Sequence, residues 1–481
     1  MKKYILIIFM LSLLISCESD EQYENLNRDP KNPTEVSSEF LLTSATVSLG
    51  DFLASPNVNV NVFRFISQYW TATTYVDEPN YDLTNRNIPQ SQFSELYRDV
   101  LLDLKDAKGY VNNSEDLTQA EKDARLGQIE VLQVYAWQVL VDTFGDIPYN
   151  EALKAKTNTL PEYDSAATIY EDLISRLQAA NTLLSAGQGY SSADVVFSGE
   201  MAKWQKFNNS LQLRLAMRIS DSNPTLSQSA AEDAVSNGVL SSNDDNVLIA
   251  YQSSPPNTNP LWEDLVQSGR SDYVAANTVV DIANDLEDPR RTYYFDPNLE
   301  DEDGNVVYEG GIYGSQNPFS GSTHVGATFR DPTHPGILLD FAEVSFHLST
   351  ASRLGYNVPG DPETHYENGI TASMNYAGIT DQAAIDDYLN QPDVAYNSAN
   401  AKELVGTQFW LAMYDNPLEG WSTWRKYDAP SLNLPGSTGN PVPLRYTYPI
   451  NEQNLNEENY NEASQAIGGD SQQTPLFWDV N

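Results

Sequence analysis

The chain has 481 residues, with 67 acidic and 27 basic side chains and a formal net charge of −40. A protein this acidic repels phosphate backbones, whose binding depends on neutralisation by Lys and Arg, so we expect no nucleic-acid partner. Hydrophobic residues make up 40% and charged residues 20% of the sequence, which is typical of a globular chain with about three domains or one large folded unit.

The N-terminus has the pattern of a secretory signal. Two lysines near the start precede an apolar stretch, residues 4–14, which is too short to cross a membrane as a helix. The sequence Leu-Ile-Ser-Cys at 14–17 resembles the lipobox of bacterial lipoproteins, in which the cysteine is acylated. We therefore predict a signal peptide at residues 1–16 and a lipid anchor, such as palmitate, on Cys17, the only cysteine of the chain. The alternative is an ordinary secretory peptide with an incidental cysteine.

An acidic run at residues 18–21 follows the predicted anchor. It resembles the export signal that sends some lipoproteins to the outer face of the outer membrane, and it equally fits a solvated tether. We assign residues 17–34 to the anchor and tether, and residues 35–481 to a single folded domain. Because the mature chain has no second cysteine, this domain must be stabilised by packing rather than by internal disulfides.

Helical periodicity dominates much of the folded region. Apolar residues recur at helical spacing in three stretches between about residues 120 and 224, which predicts three antiparallel helices with one buried face each. Stacked pairs of such helices resemble tetratricopeptide units. The predicted fold class is therefore mainly α, a superhelix of tetratricopeptide-like helix pairs. Six further helices are predicted, at residues 35–53, 58–70, 90–111, 338–354, 364–377 and 401–414.

Residues 241–337 break the helical pattern. Eight prolines and many Gly and Asn residues exclude long helices there and predict a loop-rich subregion with short strands or hairpins. A second irregular stretch is predicted from residue 428 to the end. Irregular segments on a rigid scaffold often carry binding residues, so we place the ligand-binding subregion around 241–337.

Short motifs spread over the mature chain carry a family resemblance. They include Asn-Arg-Asp-Pro at 27–30, Asp-Thr-Phe-Gly-Asp-Ile-Pro-Tyr at 142–149, Lys-Trp-Gln-Lys-Phe-Asn-Asn at 203–209, Asp-Pro-Arg at 288–290 and Leu-Phe-Trp-Asp at 476–479. In this order and spacing, and combined with a lipobox, they resemble the SusD/RagB family. The resemblance is greatest to its SusD-like branch of starch-binding lipoproteins that associate with the outer membrane.

The resemblance implies a cell-surface lipoprotein involved in polysaccharide utilisation. Family members cap a SusC-type TonB-dependent transporter and capture a nutrient, usually an oligosaccharide, without cleaving it. We therefore expect no enzyme activity, a lipid-anchored position in the outer membrane facing the exterior, and a SusC-type transporter and a glycan as partners. The acidic surface disfavours polyanions, which favours a neutral glycan.

A saccharide site needs exposed aromatic rings that stack on the apolar face of a sugar, and polar side chains that pair with its hydroxyl groups. One segment with this mix is a predicted loop that begins at the end of a predicted helix. In the family, ligand contacts commonly come from the corresponding loop and from the later irregular region. The candidate ligand-binding residues are Trp70, Tyr75, Asp77, Tyr81, Asn85 and Arg86 in the first segment and Trp262, Tyr273, Tyr313 and Phe319 in the second.

Each candidate has a structural alternative. The aromatic side chains are equally suited to a hydrophobic core, Trp70 above all because it ends a predicted helix. Asp77 and Arg86 have the charges to pair with each other or with the loop backbone.

Two metal motifs fail on spacing. The acidic run 300–305 resembles a calcium loop, but aligning Gly304 with the sixth position of that loop places Leu299 and Gly310 where carboxylates are needed. A hairpin turn at Asp303 and Gly304 is predicted instead. The four histidines lack the spacing of a zinc site. We predict no cofactor, while calcium held in another geometry stays open.

Two other functions remain compatible with the sequence. A glycosidase needs only two carboxylates about 5 to 9.5 Å apart, which a chain with 67 acidic residues can supply in many ways. A secreted glycan hydrolase on a helical scaffold is therefore one alternative. A peptide-binding helical-repeat receptor is the other.

Overall fold

The computed structural model describes residues 36–154 and 157–480. The predicted signal peptide, Cys17 and the whole predicted tether lie outside the described residues. The described part is mainly helical, and no helix in it is long and apolar enough to cross a membrane. The helices are α1 (Ser38–Ala54), α2 (Phe63–Ile66), α3 (Ile88–Ser94), α4 (Leu102–Asn113), α5 (Gln119–Phe144), α6 (Ala166–Leu184), α7 (Met201–Arg218), α8 (Pro224–Asn237), α9 (Pro260–Trp262), α10 (Asn277–Asp285), α11 (Arg291–Tyr294), α12 (Phe341–Arg353), α13 (Pro362–Tyr376), α14 (Gln382–Leu389), α15 (Ala401–Ala412), α16 (Pro417–Tyr427), α17 (Ile450–Leu455) and α18 (Glu457–Ala466).

The helices pack as neighbouring pairs, which confirms the predicted tetratricopeptide-like fold. Helix α5 packs on α6, α7 on α8, α12 on α13, and α15 on α16. A π-helical stretch, Glu95–Leu101, joins α3 to α4, and the three elements together form one long helix. This helix matches the one predicted at residues 90–111. The predicted helices at 35–53, 364–377 and 401–414 are also present, with small shifts at their ends.

The expectation that each helix of the 120–224 region buries a single face is wrong for α5 and α7. From residue 127 to its end, every side chain of α5 is buried, and the same holds for α7 from residue 207 onward. Helix α5 contacts α1, α4, α6 and α7, so it lies at the centre of the helical layers. A helix surrounded by neighbours has no solvent face, and its polar residues must find partners inside the protein.

Four helices are joined by a buried network of charges. On α7, Arg214 pairs with Glu343 of α12 at 2.5 Å, and its guanidinium lies 3.6 Å from Glu419 of α16. Arg218, one turn further along α7, pairs with Glu419 and lies 3.5 Å from Asp142 of α5. Burial alone would raise the pKa of Glu419, but Arg218 and Arg214 outweigh it and lower this pKa below its usual value of 4.5.

Six short strands make up the β structure of the described chain: β1 (Trp70–Ala72), β2 (Val247–Ile249), β3 (Tyr273–Ala275), β4 (Leu299–Glu300), β5 (Val306–Val307) and β6 (Gly336–Leu339). They form three antiparallel pairs, β1 with β3, β2 with β6, and β4 with β5. Four strands lie wholly within the loop-rich subregion and a fifth spans its end, as predicted. The β4–β5 hairpin confirms the predicted turn at Asp303 and Gly304, where Asp301 Oδ1 accepts backbone hydrogen bonds from Asp303 (2.9 Å) and Asn305 (2.8 Å).

Three boundaries differ from the prediction. The helix predicted at 58–70 is reduced to the single turn of α2, and its last residue instead begins β1. The helix predicted from residue 338 begins at α12, because residues 338 and 339 belong to β6. In both places a strand far away in the sequence pairs with the segment, which helical periodicity cannot reveal. The irregular stretch from residue 428 contains two helices, α17 and α18, that were not predicted.

Candidate functional site

Strands β1 and β3 bring the two predicted sources of ligand contacts together. Their register places Trp70 opposite Ala275 and Ala72 opposite Tyr273. Immediately beyond β1, Thr73 continues the pairing: its backbone N–H donates to the Asp272 carbonyl at 2.9 Å, and its hydroxyl donates to a neighbouring carbonyl. The loop at residues 73–87 therefore lies beside the segment at residues 268–273.

A third segment, residues 311–317, completes the arrangement. The side-chain amide of Asn317 donates to the Ala72 carbonyl at 3.1 Å. The side-chain amide of Asn80, in the first loop, donates to the Gly314 carbonyl at 2.7 Å. These bonds satisfy backbone groups of irregular segments and hold the loops in fixed positions relative to the β1–β3 pair.

The loops enclose a pocket with a volume of about 130 Å³. We call it the tyrosine–arginine pocket. Of the ten predicted residues, it contains Tyr75, Arg86 and Tyr273. Its other charged lining residues are Glu78, Asp264, Arg270 and Asp272, and the side chains of Asn57 and Asn59 also contribute.

Tyr75 is the most open aromatic ring of this pocket. Its side chain is 55% exposed, and the guanidinium carbon of Arg270 lies 5.9 Å from its ring centroid. Arg270 in turn donates from Nε to Asp272 Oδ2 at 2.6 Å. The Arg270 guanidinium lies over the Tyr75 ring, and Asp272 holds this guanidinium in place. The flat ring of Tyr75 therefore lies beside groups that form hydrogen bonds.

Tyr273 forms the deeper aromatic wall. Its hydroxyl donates to the Pro56 carbonyl at 3.1 Å, and its ring centroid lies 5.8 Å from Phe65 and 5.7 Å from Trp70. Burial raises the pKa of the Tyr273 hydroxyl, with nearby Asp264 adding to the effect. The hydroxyl therefore stays protonated and can donate to the Pro56 carbonyl.

Arg86 is tied to a carboxylate that the sequence did not point to. It donates from Nε to Glu78, a buried residue, and from Nη1 to Asn59 Oδ1 at 3.4 Å. The suggested pairing with Asp77 is therefore not observed. Asp77 is exposed and accepts from Asn85 Nδ2 at 3.5 Å, and neither residue lines the pocket.

Trp70, Tyr81 and Tyr313 are buried, and the prediction that they offer exposed ring faces to a ligand is wrong. The Tyr81 hydroxyl accepts from Gln68 Nε2 at 2.9 Å, and its ring lies 6.0 Å from Tyr313. The Tyr313 hydroxyl donates to the Phe65 carbonyl at 2.7 Å. These rings form the floor beneath the loops, and burial raises the pKa of Tyr81 to about 12.

The last two candidates lie outside this pocket. Trp262, at the end of α9, is half-buried and is not among the residues that line it. Phe319 is half-buried and lines a neighbouring cleft with a volume of about 360 Å³. We call this the phenylalanine cleft. Arg270, Asp272 and Tyr273 line both spaces, so the segment at residues 270–273 is the wall between them.

A comparison with protein families identifies the family of this chain. A family model described as SusD-like, starch-binding and associating with the outer membrane, matches residues 30–449. The chain belongs to this SusD-like family. Comparison with curated protein sequences gives no match.

Solved structures with this SusD-like fold cover most of this chain. A structure described as a chitin-binding protein has a TM-score of 0.81 at 27% sequence identity, with 92% of this chain and 100% of that chain covered. A SusD homolog from Bacteroides uniformis has a TM-score of 0.78 at 24% identity and covers 92% and 100%. A chitin-binding SusD homolog from Flavobacterium johnsoniae has a TM-score of 0.75 at 23% identity and covers 92% and 97%. At these lower identities the last two show the fold alone.

Sequence reasoning missed most of the charged groups of the tyrosine–arginine pocket. Arg270 and Asp272 lie between a glycine and the predicted Tyr273, and this Gly-Arg-Ser-Asp-Tyr run is the one signal that could have pointed to them. Nothing in the sequence pointed to Glu78, because its ion pair with Arg86 forms only when the loop folds back on itself. The pKa of Asp264 is raised, first by burial and then by neighbouring acidic groups. Across the described residues, no cluster of three or more His, Cys, Asp or Glu side chains is placed to hold a metal ion.

Proposed function

We propose that this SusD-like protein is a nutrient-binding lipoprotein of the outer membrane. It captures an oligosaccharide or polysaccharide at the tyrosine–arginine pocket and passes it to a SusC-type TonB-dependent transporter, without catalysis. The observation that carries the proposal is the exposed Tyr75 ring beside Arg270 and Tyr273, in the segment that β1 and β3 bring together.

The chemistry of the pocket suits an uncharged saccharide. A sugar places its apolar face on Tyr75, while its hydroxyl or acetamido groups exchange hydrogen bonds with the guanidinium groups and with Asn57 and Asn59. Each arginine already has a carboxylate partner, so the pocket carries no excess positive charge that would attract an acidic sugar. The family description names starch, and two of the similar structures are described as chitin-binding, so both polymers belong in the first ligand panel.

The arrangement of carboxylates supports binding rather than hydrolysis. A glycosidase needs one carboxyl group that donates a proton and a second that acts as base or nucleophile. Glu78 is held by Arg86, and Asp272 is held by Arg270, which leaves Asp264 as the remaining lining carboxylate. Release of reducing ends from starch or chitin oligosaccharides by the purified protein, abolished by Asp264→Asn, would refute the non-catalytic assignment.

Calorimetric titration of the full chain in detergent tests the binding step. The ligands are maltooligosaccharides and N-acetylglucosamine oligomers of defined length. Wild type is expected to bind at least one series, and Tyr75→Ala to weaken that binding about tenfold, since a ring face of this size contributes on the order of 1.4 kcal/mol. Tyr110→Ala is the control, because Tyr110 is an exposed tyrosine on α4 outside the pocket. Equal effects of the two substitutions would contradict the assigned site.

The anchor and the transporter need separate experiments. We expect Cys17→Ser to move the protein from the outer-membrane fraction to a soluble fraction, since acyl chains supply the attachment. Purification of the wild-type protein from native membranes should also recover a TonB-dependent transporter. Unchanged membrane attachment of Cys17→Ser would refute the lipid anchor, and recovery of the protein alone would refute the partnership.

A further inference from the structure

The chain contains two Asn-Gly pairs, Asn237-Gly238 and Asn368-Gly369. Because glycine has no side chain to hinder its own backbone nitrogen, this nitrogen can attack Cγ of the preceding asparagine. A bond forms between the glycine nitrogen and Cγ, the bond from Cγ to the amide nitrogen breaks, and the amide leaves as ammonia with the proton of the glycine N–H. Water then opens the resulting succinimide at either carbonyl carbon, which gives aspartate or isoaspartate. The asparagine thus becomes a negative charge without any enzyme.

The first pair to consider is held inside a helix. Asn368 and Gly369 lie in the middle of α13, and although the Asn368 side chain is exposed, Gly369 is buried. A methyl group added to Gly369 would meet the ring of Phe346 at 2.8 Å, so the backbone here is packed closely against α12. The Gly369 nitrogen can therefore approach Asn368 Cγ only when the middle of this helix opens.

The second pair lies at the end of a helix. Asn237 is the last residue of α8 and is exposed, and Gly238 has a φ of 93°, which favours glycine. The Gly238 N–H donates to the Val235 carbonyl at 3.1 Å. Apart from its chain neighbours, no atom of the described residues lies within 4 Å of the position that a methyl group on Gly238 would take. Helix ends open at little cost in free energy, so the Gly238 nitrogen is freed far more often than the Gly369 nitrogen.

We propose that Asn237 is a site of spontaneous deamidation in the folded protein, whereas Asn368 is protected by its helix. The two asparagines are alike in exposure and in the residue that follows them. The state of the backbone is therefore what separates them. This modification does not depend on the proposed saccharide function.

The modification changes how the end of α8 is held against α7. Asn237 Nδ2 donates to Asp233 Oδ1 at 3.3 Å, and Asp233 Oδ2 accepts from Gln212 of α7 at 2.8 Å. After the reaction a carboxylate replaces this donor, and it faces both Asp233 and the negative end of the helix dipole. Isoaspartate also lengthens the main chain beside Gly238, whose carbonyl accepts from Asn209 of α7 at 2.9 Å. We therefore expect the last turn of α8 to loosen.

Peptide mapping by mass spectrometry tests the proposal. The purified full chain in detergent is kept for several weeks at mildly alkaline pH, which favours the attacking form of the backbone nitrogen. Each deamidation adds about 1 Da to the peptide that carries it. We expect Asn237 to convert at least about tenfold faster than Asn368, because a helix opens far more readily at its end than in its middle. The same chain unfolded in urea is the control, and there both pairs should convert at similar rates.

Matched variants identify the reacting residue. Asn237→Gln should abolish the mass gain of this peptide in the folded protein, because the larger ring that glutamine would form closes much more slowly. Asn368→Gln should leave the rate at Asn237 unchanged. Equal rates at the two pairs in the folded chain would refute the proposal, as would an unmodified Asn237 over a period in which the unfolded chain converts.

The structural consequence has its own measurement. Asn237→Asp places the product charge on the chain from the start, and hydrogen exchange compares it with wild type. We expect faster exchange in the last turn of α8 and unchanged exchange in α13. Exchange equal to that of wild type at the end of α8 would refute the loosening, while the rates of deamidation decide the modification itself.

Discussion

Two tyrosines of the same loop provide the sharpest test of the site, because the structure gives them opposite environments. Tyr75 is 55% exposed in the tyrosine–arginine pocket, whereas Tyr81 is 4% exposed and its ring lies against Tyr313. The sequence treats them alike as candidate ligand contacts. We predict that Tyr75→Ala affects binding without affecting stability, and that Tyr81→Ala affects stability first.

The magnitudes follow from burial and hydrogen bonding. An exposed side chain contributes little to folding, so Tyr75→Ala should change the free energy of unfolding by less than about 0.5 kcal/mol. Tyr81→Ala removes a buried ring and should cost about 3–5 kcal/mol. Tyr81→Phe keeps the ring and removes the hydroxyl, which accepts a hydrogen bond from Gln68 Nε2 (2.9 Å) and is also bonded to Tyr313, and it should cost about 1 kcal/mol.

Thermal unfolding and calorimetric titration on the same samples distinguish the two roles. With an unfolding entropy of about 2.1 cal/mol/K per residue, a chain of 481 residues loses about 1 °C in Tm for each kcal/mol. Tyr81→Ala should therefore lower the Tm by about 3–5 °C, and Tyr81→Phe by about 1 °C with ligand affinity retained. Tyr75→Ala should keep the wild-type Tm and bind about tenfold more weakly.

Two results would refute this reasoning. A fall of several degrees in the Tm of Tyr75→Ala would show that its ring is part of the core rather than an open surface. A loss of affinity in Tyr81→Phe as large as that in Tyr75→Ala, at an unchanged Tm, would show that the Tyr81 hydroxyl contacts the ligand.

Three further predictions concern charged groups. Glu419→Gln leaves Arg214 and Arg218 without their shared counter-charge and should lower the free energy of unfolding by about 3–5 kcal/mol in urea titrations; a loss under about 1 kcal/mol would contradict the network. The pKa of Glu419 is lowered in the folded protein, so the contribution of its charge to stability is present above its ordinary pKa of 4.5 and is lost as the pH falls below that value. The difference in free energy of unfolding between wild type and Glu419→Gln should therefore narrow in acid. Burial, with a neighbouring carboxylate, raises the pKa of Asp340 from 3.8 to about 7, so the folded state binds more protons and stability falls as the pH rises through this interval. Asp340→Asn should remove that fall in Tm. A dependence of Tm on pH that Asp340→Asn leaves unchanged would refute this prediction. Arg270→Met should weaken oligosaccharide binding in titrations at an unchanged Tm, since this side chain is 57% exposed, and full affinity would exclude Arg270 from the site.

The local pattern of apolar residues was sufficient to predict most of the helical scaffold. The periodic apolar residues of α5, α6 and α7 predicted helices close to those observed, because backbone hydrogen bonds within a helix join neighbours in the sequence. The same reasoning failed at residues 58–70, where β1 depends on pairing with β3 about 200 residues later. It also missed that α5 is buried on every side, because burial is set by the number of surrounding helices.

The candidate site could be predicted only in part. Tyr75, Arg86 and Tyr273 were expected in a ligand site and lie together in one pocket, and ligand binding by them stays a prediction. Trp70 and Tyr81 are also aromatic and lie close to Tyr75 in the sequence, yet they are buried. An aromatic ring packs equally well in a hydrophobic core and against a sugar. Residue type alone therefore does not show whether a ring is buried or exposed to a ligand.

By itself, the sequence determined the acidic character of the chain, the lipobox pattern that ends in Cys17, the helical scaffold, the loop-rich region and the family resemblance that the comparison later confirmed. All of these depend on composition or on residues close together along the chain. Only the tertiary structure decided which rings face solvent, that Glu78 holds Arg86, and that one wall at residues 270–273 separates two pockets. Those features arise where loops distant in sequence meet, and their positions depend on long-range pairing and burial.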